Sequence, residues 1–219
     1  MIRFLCSVLI GLSIFGCAHN RELAAGAQSL SAARPGDALV AKVAEGGYVL
    51  YIRHGKTDSV FQDKQDKPNW WKTCDTRSHR PLSDEGRAQM LSIGAQMREL
   101  RIPVAKVLSS EYCRAADSAL LLQLMPVVFE PTLNYTDAQR YAKRSDVQMA
   151  SDLRALFSTA PPTGRNIVLV GHVHGFNPPI DPMFSQVQEA ETIVIKPLAE
   201  GKFEIVGRIT VDKWALRAQ

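Results

Sequence analysis

The chain is expected to be an α/β protein: a three-layer α/β/α arrangement with a mostly parallel sheet and an antiparallel hairpin at its C-terminal edge. Three observations predict this. Short apolar runs at residues 48–52, 104–109 and 166–171 have the continuous hydrophobicity of parallel strands covered on both faces. Segments of helical period lie between them, as in alternating strand–helix units. The alternation then stops, and residues 191–196 and 203–209 flank Glu200-Gly201-Lys202 as two hairpin strands flank a turn. With 219 residues, 46% of them apolar, one core can be buried, so a single domain is expected. A net charge of +4 without a basic tract or interleaved aromatics argues against nucleic acid as a partner.

The first residues stand apart from that pattern. Arg3 supplies a positive start, and residues 4–15 form an apolar stretch too short to span a bilayer. It ends in Ile14-Phe15-Gly16-Cys17, which resembles a bacterial lipoprotein signal. That resemblance implies cleavage before Cys17, a lipid on Cys17 as the contact with the membrane, and, with alanine at position 18, an outer-membrane location facing the periplasm. An ordinary secretory signal cleaved nearby is the competing reading. The expected organisation is therefore a signal at 1–16, a lipidated N-terminus and tether at 17–44, and a folded domain at 45–219. Cys6 would leave with the signal and Cys17 would be modified, so Cys74 and Cys113 remain. In an oxidising compartment these two invite a disulfide; two separate buried thiols are the alternative.

The elements follow in order. A short helix is expected around residues 37–44, and strand 48–52 then stops at Arg53-His54-Gly55. Residues 58–79 are polar and contain Trp70-Trp71, which either pack this long connection onto the body or cap a pocket. Asp58, Asp63 and Asp66 are too irregularly spaced for a calcium loop, and His79 is expected at the surface or beside the site. Ser83, followed by Asp84 and Glu85, starts a helix whose buried face is Met90, Ile93, Met97 and Leu100, with Pro103 beyond its end. After the strand Val104–Ser109 comes a helix through Ala115, Ala119 and Leu122. A third strand at Val127–Phe129 precedes an irregular or partly helical segment at 131–144. An amphipathic helix at Asp146–Phe157 leads to the strand ending at His172. His174 is read as a rim or solvent-facing side chain, and no acid or cysteine cluster accompanies it to suggest a metal pair.

Three strands thus end in the groups a phosphate site needs: Arg53 and His54, then Arg114, then His172. Ligands of open α/β sheets bind at the carboxyl ends of the strands. Two guanidiniums offer rigid forks of donors that stay charged, suited to phosphoryl oxygens. One imidazole can attack phosphorus when neutral, and the other can donate a hydrogen bond.

These segments resemble the histidine phosphatase superfamily, with its phosphoglycerate-mutase-like fold. The likeness is carried by Arg53-His54-Gly55-Lys56-Thr57, Arg80-Pro81-Leu82-Ser83-Asp84-Glu85-Gly86-Arg87, the stretch from Ser109 to Ala116, and Val170-Gly171-His172. It implies a phosphohistidine on His54, with Arg53, Arg114 and His172 completing the phosphate pocket, and no metal or organic cofactor. Thr57 would line the same pocket and contribute to substrate binding; apart from the resemblance, Lys56 either adds to the positive field over the pocket as a substrate-binding group or is simply solvated. The family's acid for the leaving oxygen commonly lies after the third strand, where this chain has Leu133-Asn134-Tyr135-Thr136-Asp137. Asp137 is the candidate, with Glu111 as a second. The implied activity is hydrolysis of a small phosphomonoester at the cell envelope. The alternative is an envelope lipoprotein that keeps the fold and binds a phosphorylated ligand without catalysis.

Overall fold

A computed structural model of the chain describes residues 38–174, 176 and 179–214. The expected signal, Cys17 and most of the tether lie outside the described residues. The six strands are β1 (Val49–Arg53), β2 (Val104–Ser109), β3 (Val127–Phe129), β4 (Asn166–Gly171), β5 (Thr192–Pro197) and β6 (Phe203–Ile209). They form one sheet in the order β3-β2-β4-β1-β5-β6. The β1–β4, β2–β4 and β2–β3 pairs are parallel, whereas β1–β5 and β5–β6 are antiparallel. The fold is the expected mostly parallel α/β sheet with an antiparallel C-terminal edge.

Successive strand residues point to opposite faces, and the core divides accordingly. Leu50, Ile52, Val168 and Val170 pack under α1 (Ala38–Ala44), α2 (Asp84–Glu99) and α3 (Cys113–Leu121). Val49, Tyr51, Ile167 and Leu169 face Met149, Leu153 and Phe157 of α5 (Asp146–Phe157), together with Phe184 of α6 (Pro182–Gln186). Between these lies α4 (Thr136–Tyr141), inside the segment expected to be partly helical. The fully buried Met90, Ile93 and Met97 on α2 each contribute roughly 1.5–3 kcal/mol by burial. No helix among the described residues is long and apolar enough to cross a membrane.

The helix α2 is fixed against the corner that follows β1. Ser83 caps it by accepting from the Gly86 N–H at 3.1 Å, and the Ser83 N–H donates to the Lys56 carbonyl at 2.9 Å. A Cβ on Gly86 would lie 2.0 Å from the Lys56 oxygen, so only glycine lets the helix approach this closely.

The long connection 58–79 is anchored at two places. Trp70 and Trp71 are buried in a cluster with Tyr112 and Ala138, so they pack the loop onto the body. Cys74 and Cys113 form a disulfide with Cα atoms 5.4 Å apart and a sequence separation of 39. Cross-linking a loop of that length stabilises by about 4 kcal/mol in the chain-entropy treatment. Cys74→Ser is therefore expected to lower the urea-unfolding free energy by about that amount, with reductant producing the same loss in the unmodified protein. An unchanged midpoint in both would show that the cross-link adds nothing.

Candidate active site

Backbone pairing carries the sequence-predicted groups to one end of the sheet. The β1–β4 register runs to Arg53 opposite Gly171, and the His54 N–H extends the ladder to the Gly171 carbonyl at 3.0 Å. The Ser110 N–H donates to the Val170 carbonyl at 3.0 Å, which holds the start of α3 beside the same strand end. His54 and His172 are then neighbours, with ring centroids 5.2 Å apart and both side chains buried. The Tyr51 hydroxyl pins His172 from below by accepting from its N–H at 2.9 Å and donating to its carbonyl at 2.5 Å. Gly171 permits this, since a Cβ there would sit 2.6 Å from that hydroxyl.

These residues border a cavity of about 240 Å³ lined by Arg53, His54, Gln62, Asp63, Gln65, Arg80, Arg114, Tyr135, Asp137, His172 and Val173. His54 Nδ1 lies 2.8 Å from the Gly55 carbonyl. A carbonyl only accepts, so Nδ1 carries the hydrogen and the lone pair is on Nε2, which has no hydrogen-bond partner among the described residues. Burial first, and the Arg114 charge second, hold the His54 pKa well below its ordinary value, so the ring is neutral at pH 7. The same two causes, in the same order, lower that of His172. His172 Nε2 contacts the Ser110 hydroxyl at 2.9 Å. That hydroxyl in turn donates to Asn134 Oδ1 at 3.0 Å, which leaves Nε2 as the donor of the pair.

The cations are gathered without enough acceptors. Arg53 Nη1 donates to the Val187 carbonyl at 2.9 Å, and Nη2 lies 3.6 Å from Glu189. Arg114, only 3% exposed, donates from Nη1 to both oxygens of Asp63, at 3.1 and 2.9 Å. Arg80 joins them. Among the described residues, the buried Nε atoms of Arg53, Arg80 and Arg114 have no acceptor; His172 Nδ1, which holds that ring's lone pair, has no partner there either. Buried donors are almost always satisfied, so this arrangement calls for an anion with several acceptor oxygens.

Other expected site residues fall elsewhere. Lys56 does not line the cavity; it is exposed and bonded to Glu85 at 2.5 Å, because the corner turns it toward the first turn of α2. Thr57 does not line it either, and its hydroxyl donates to Glu189 at 2.9 Å. Glu111 is occupied by Lys72, Asn134 and Trp71, outside the cavity. Asp137 does line the cavity and accepts from Gln65 Nε2 at 3.2 Å.

His174 is not at the rim. It is buried, stacked on Phe176 with a 5.1 Å centroid separation, and burial lowers its pKa to about 4. His79 is buried rather than at the surface. Sequence reasoning missed Arg80 and Asp63 as site residues. Arg80 had a signal in its place beside the Pro81-Leu82-Ser83 helix start, whereas Asp63 had none. Among the described residues, no group of acids, histidines and cysteines could hold a metal ion.

The model of the histidine phosphatase superfamily (branch 1) matches residues 49–173, more than half of the chain. The chain belongs to that superfamily. Comparison with curated proteins finds no match. Similar solved structures include the protein histidine phosphatase SixA complexed with tungstate, at 12% identity and a TM-score of 0.50, covering 77% of this chain and 99% of that one. A mycobacterial glucosyl-3-phosphoglycerate phosphatase with VO3 is 18% identical with a TM-score of 0.49, covering 74% of this chain and 98% of its own. A phosphoserine phosphatase from Entamoeba histolytica has 13% identity and a TM-score of 0.48, covering 76% and 98%. At 12% identity the likeness to SixA concerns the fold alone.

The depressed histidine pKa values set a stability dependence with a definite sign. Folded values lie below the unfolded value of about 6.5, so below that pH the unfolded chain binds protons that the folded chain does not. Stability from this source is complete above about pH 6.5 and is lost as pH falls toward the folded values. Nitrogen-15 spectra of the imidazoles are expected to show His54, His172 and His174 neutral at pH 6.5, where an exposed histidine is half protonated. Half-protonation of His54 at that pH would contradict the assigned burial and charge.

Proposed function

We propose that this phosphohydrolase is a phosphomonoesterase that works through a phosphohistidine on His54. The supporting observation is the set of unpaired buried guanidinium Nε donors around a neutral imidazole whose Nε2 is free. A phosphoryl group bound among Arg53, Arg80 and Arg114 would have its oxygens satisfied and its charge balanced. The His54 Nε2 lone pair then forms the bond to phosphorus as the ester oxygen leaves, and Asp137 is the side chain proposed to protonate that oxygen. Water attacks the phosphohistidine in the second step, passing its proton to the same carboxylate, and the nitrogen recovers its lone pair. Most of the acceleration would come from positioning and from fixed positive charge, as phosphoryl transfer requires. The substrate would be a small phosphorylated molecule, in keeping with a cavity of about 240 Å³.

The proposed setting is the bacterial envelope, with anchoring through a lipid on Cys17. The Cys74–Cys113 disulfide is consistent with that, since such bonds persist in oxidising compartments.

The test is hydrolysis of an activated aryl phosphate by the full chain between pH 4 and 8, with acid-labile phosphate trapped on the protein during turnover. His54→Ala is expected to reduce kcat by at least about a thousandfold and to abolish trapping. Arg114→Ala should lower kcat/KM by roughly a hundredfold or more. Phosphate binding without turnover or trapping would instead favour a binding protein that keeps the fold.

A further inference from the structure

Arg114 already has an anion. Asp63, from the connection 58–79, lies in the same cavity as His54 and places both carboxylate oxygens on Arg114 Nη1, at 3.1 and 2.9 Å. Its Oδ1 also accepts the Arg80 backbone N–H at 3.0 Å, which aims the carboxylate inward. Arg114 is 3% exposed on its side chain and Asp63 18%, so this pair is poorly screened by water, unlike the exposed pairs elsewhere in the chain. A phosphoryl oxygen that takes Arg114 Nη1 must displace the carboxylate. Once displaced, the carboxylate remains on the wall of the same small cavity and repels the incoming anion.

We infer that Asp63 is an internal competitor for the phosphate subsite, a residue that sets how tightly the pocket holds any anion, substrate and product phosphate alike. The inference rests on the pocket being a phosphate site, as proposed above. It assigns Asp63 no proton transfer; that remains with Asp137. Ester binding through Arg114 Nη1 is then an exchange of anions at that nitrogen, and product phosphate leaves as Asp63 returns. Substrates that also engage the loop, through Gln62 or Gln65, would help to move Asp63 aside and would be favoured over bare phosphate.

The experiment is calorimetric titration of the oxidised full chain and of Asp63→Asn with inorganic phosphate, alongside turnover of an aryl phosphate. Asparagine keeps the side-chain shape and an acceptor for the Arg80 N–H while removing the charge. The variant is expected to bind phosphate about tenfold more tightly or better, since a neutral amide neither holds Arg114 as an ion-pair partner nor repels the anion. Its KM should fall, and inhibition by inorganic phosphate should strengthen by a similar factor.

Phosphate affinity that is unchanged or weaker in Asp63→Asn, with hydrolysis intact in the unmodified protein, would overturn this inference and leave the phosphatase reading standing. Unchanged affinity with lost turnover would also overturn it, and would make Asp63 the proton donor. Failure of both proteins to bind phosphate would overturn this inference, and failure of both to hydrolyse the ester as well would overturn the phosphatase reading with it. Asp63→Ala, which removes the contact as well as the charge, should tighten phosphate in the same direction, so a fold defect in one variant does not decide the matter.

Discussion

The site depends first on the register between β1 and β4. These strands pair in parallel from Val49 opposite Ile167 to Arg53 opposite Gly171, and the two histidines simply follow the last paired residues. A shift of one residue would send every side chain of a strand to the other face. Leu50 and Ile52 would leave the α2 side of the core and Val49 and Tyr51 would enter it. Two different hydrophobic clusters therefore resist slippage together, and the 5.2 Å separation of the imidazoles is inherited from core packing rather than held by polar contacts alone. Tyr51 links the two levels directly. Its ring packs edge-on against Phe157 and Phe184, while its hydroxyl clasps the backbone of His172.

Placing three guanidiniums beside two imidazoles in a buried pocket has an electrostatic cost, and the local chemistry shows how it is met. Arginine remains protonated even when burial lowers its pKa, so the histidines yield and stay neutral. For His54 this is an advantage, because only the neutral ring has a lone pair to give. The remaining positive charge is offset by Asp63 on Arg114 and Glu189 near Arg53. Among the described residues, three Nε donors are still left without acceptors, a deficit that a multiply charged oxyanion would repair better than a neutral ligand.

Much of this was legible in the sequence because buried parallel strands are written as apolar runs and their ends are abrupt. The strands around Arg53, Ser109 and Gly171, the Ser83-capped helix and the closing hairpin all have local causes in side-chain period and capping chemistry. What escaped has no such period. Asp63 reaches Arg114 across 51 residues through an irregular connection, and no repeat or spacing points to that meeting. Lys56 and Thr57 follow His54 closely in the chain and yet do not line the cavity, because once the strand ends adjacency no longer fixes direction. His174 shows the opposite error. A polar residue after a strand was expected at the rim, but packing against Phe176 and Tyr51 keeps it inside. The short helix α6 also lacked a sufficient pattern to be expected, since five residues are little more than one turn.

The disulfide gives the Asp63–Arg114 contact its mechanical setting. Cys113 precedes Arg114 on α3, and Cys74 lies eleven positions after Asp63, so the cross-link joins the element bearing the anion to the element bearing the cation. The buried Trp70 and Trp71 fasten the loop at a nearer point still. Asp63 is thus tethered to Arg114 by a short segment on either count. A short tether gives a group an effective concentration on the order of millimolar or above. A free anion touching nothing but Arg114 would have to match that concentration to displace the carboxylate. A ligand that also contacts the guanidinium groups of Arg53 and Arg80 gains binding energy beyond that of the single arginine side chain the carboxylate engages. The tether therefore favours anions that fill the whole ring of donors over those that satisfy one arginine.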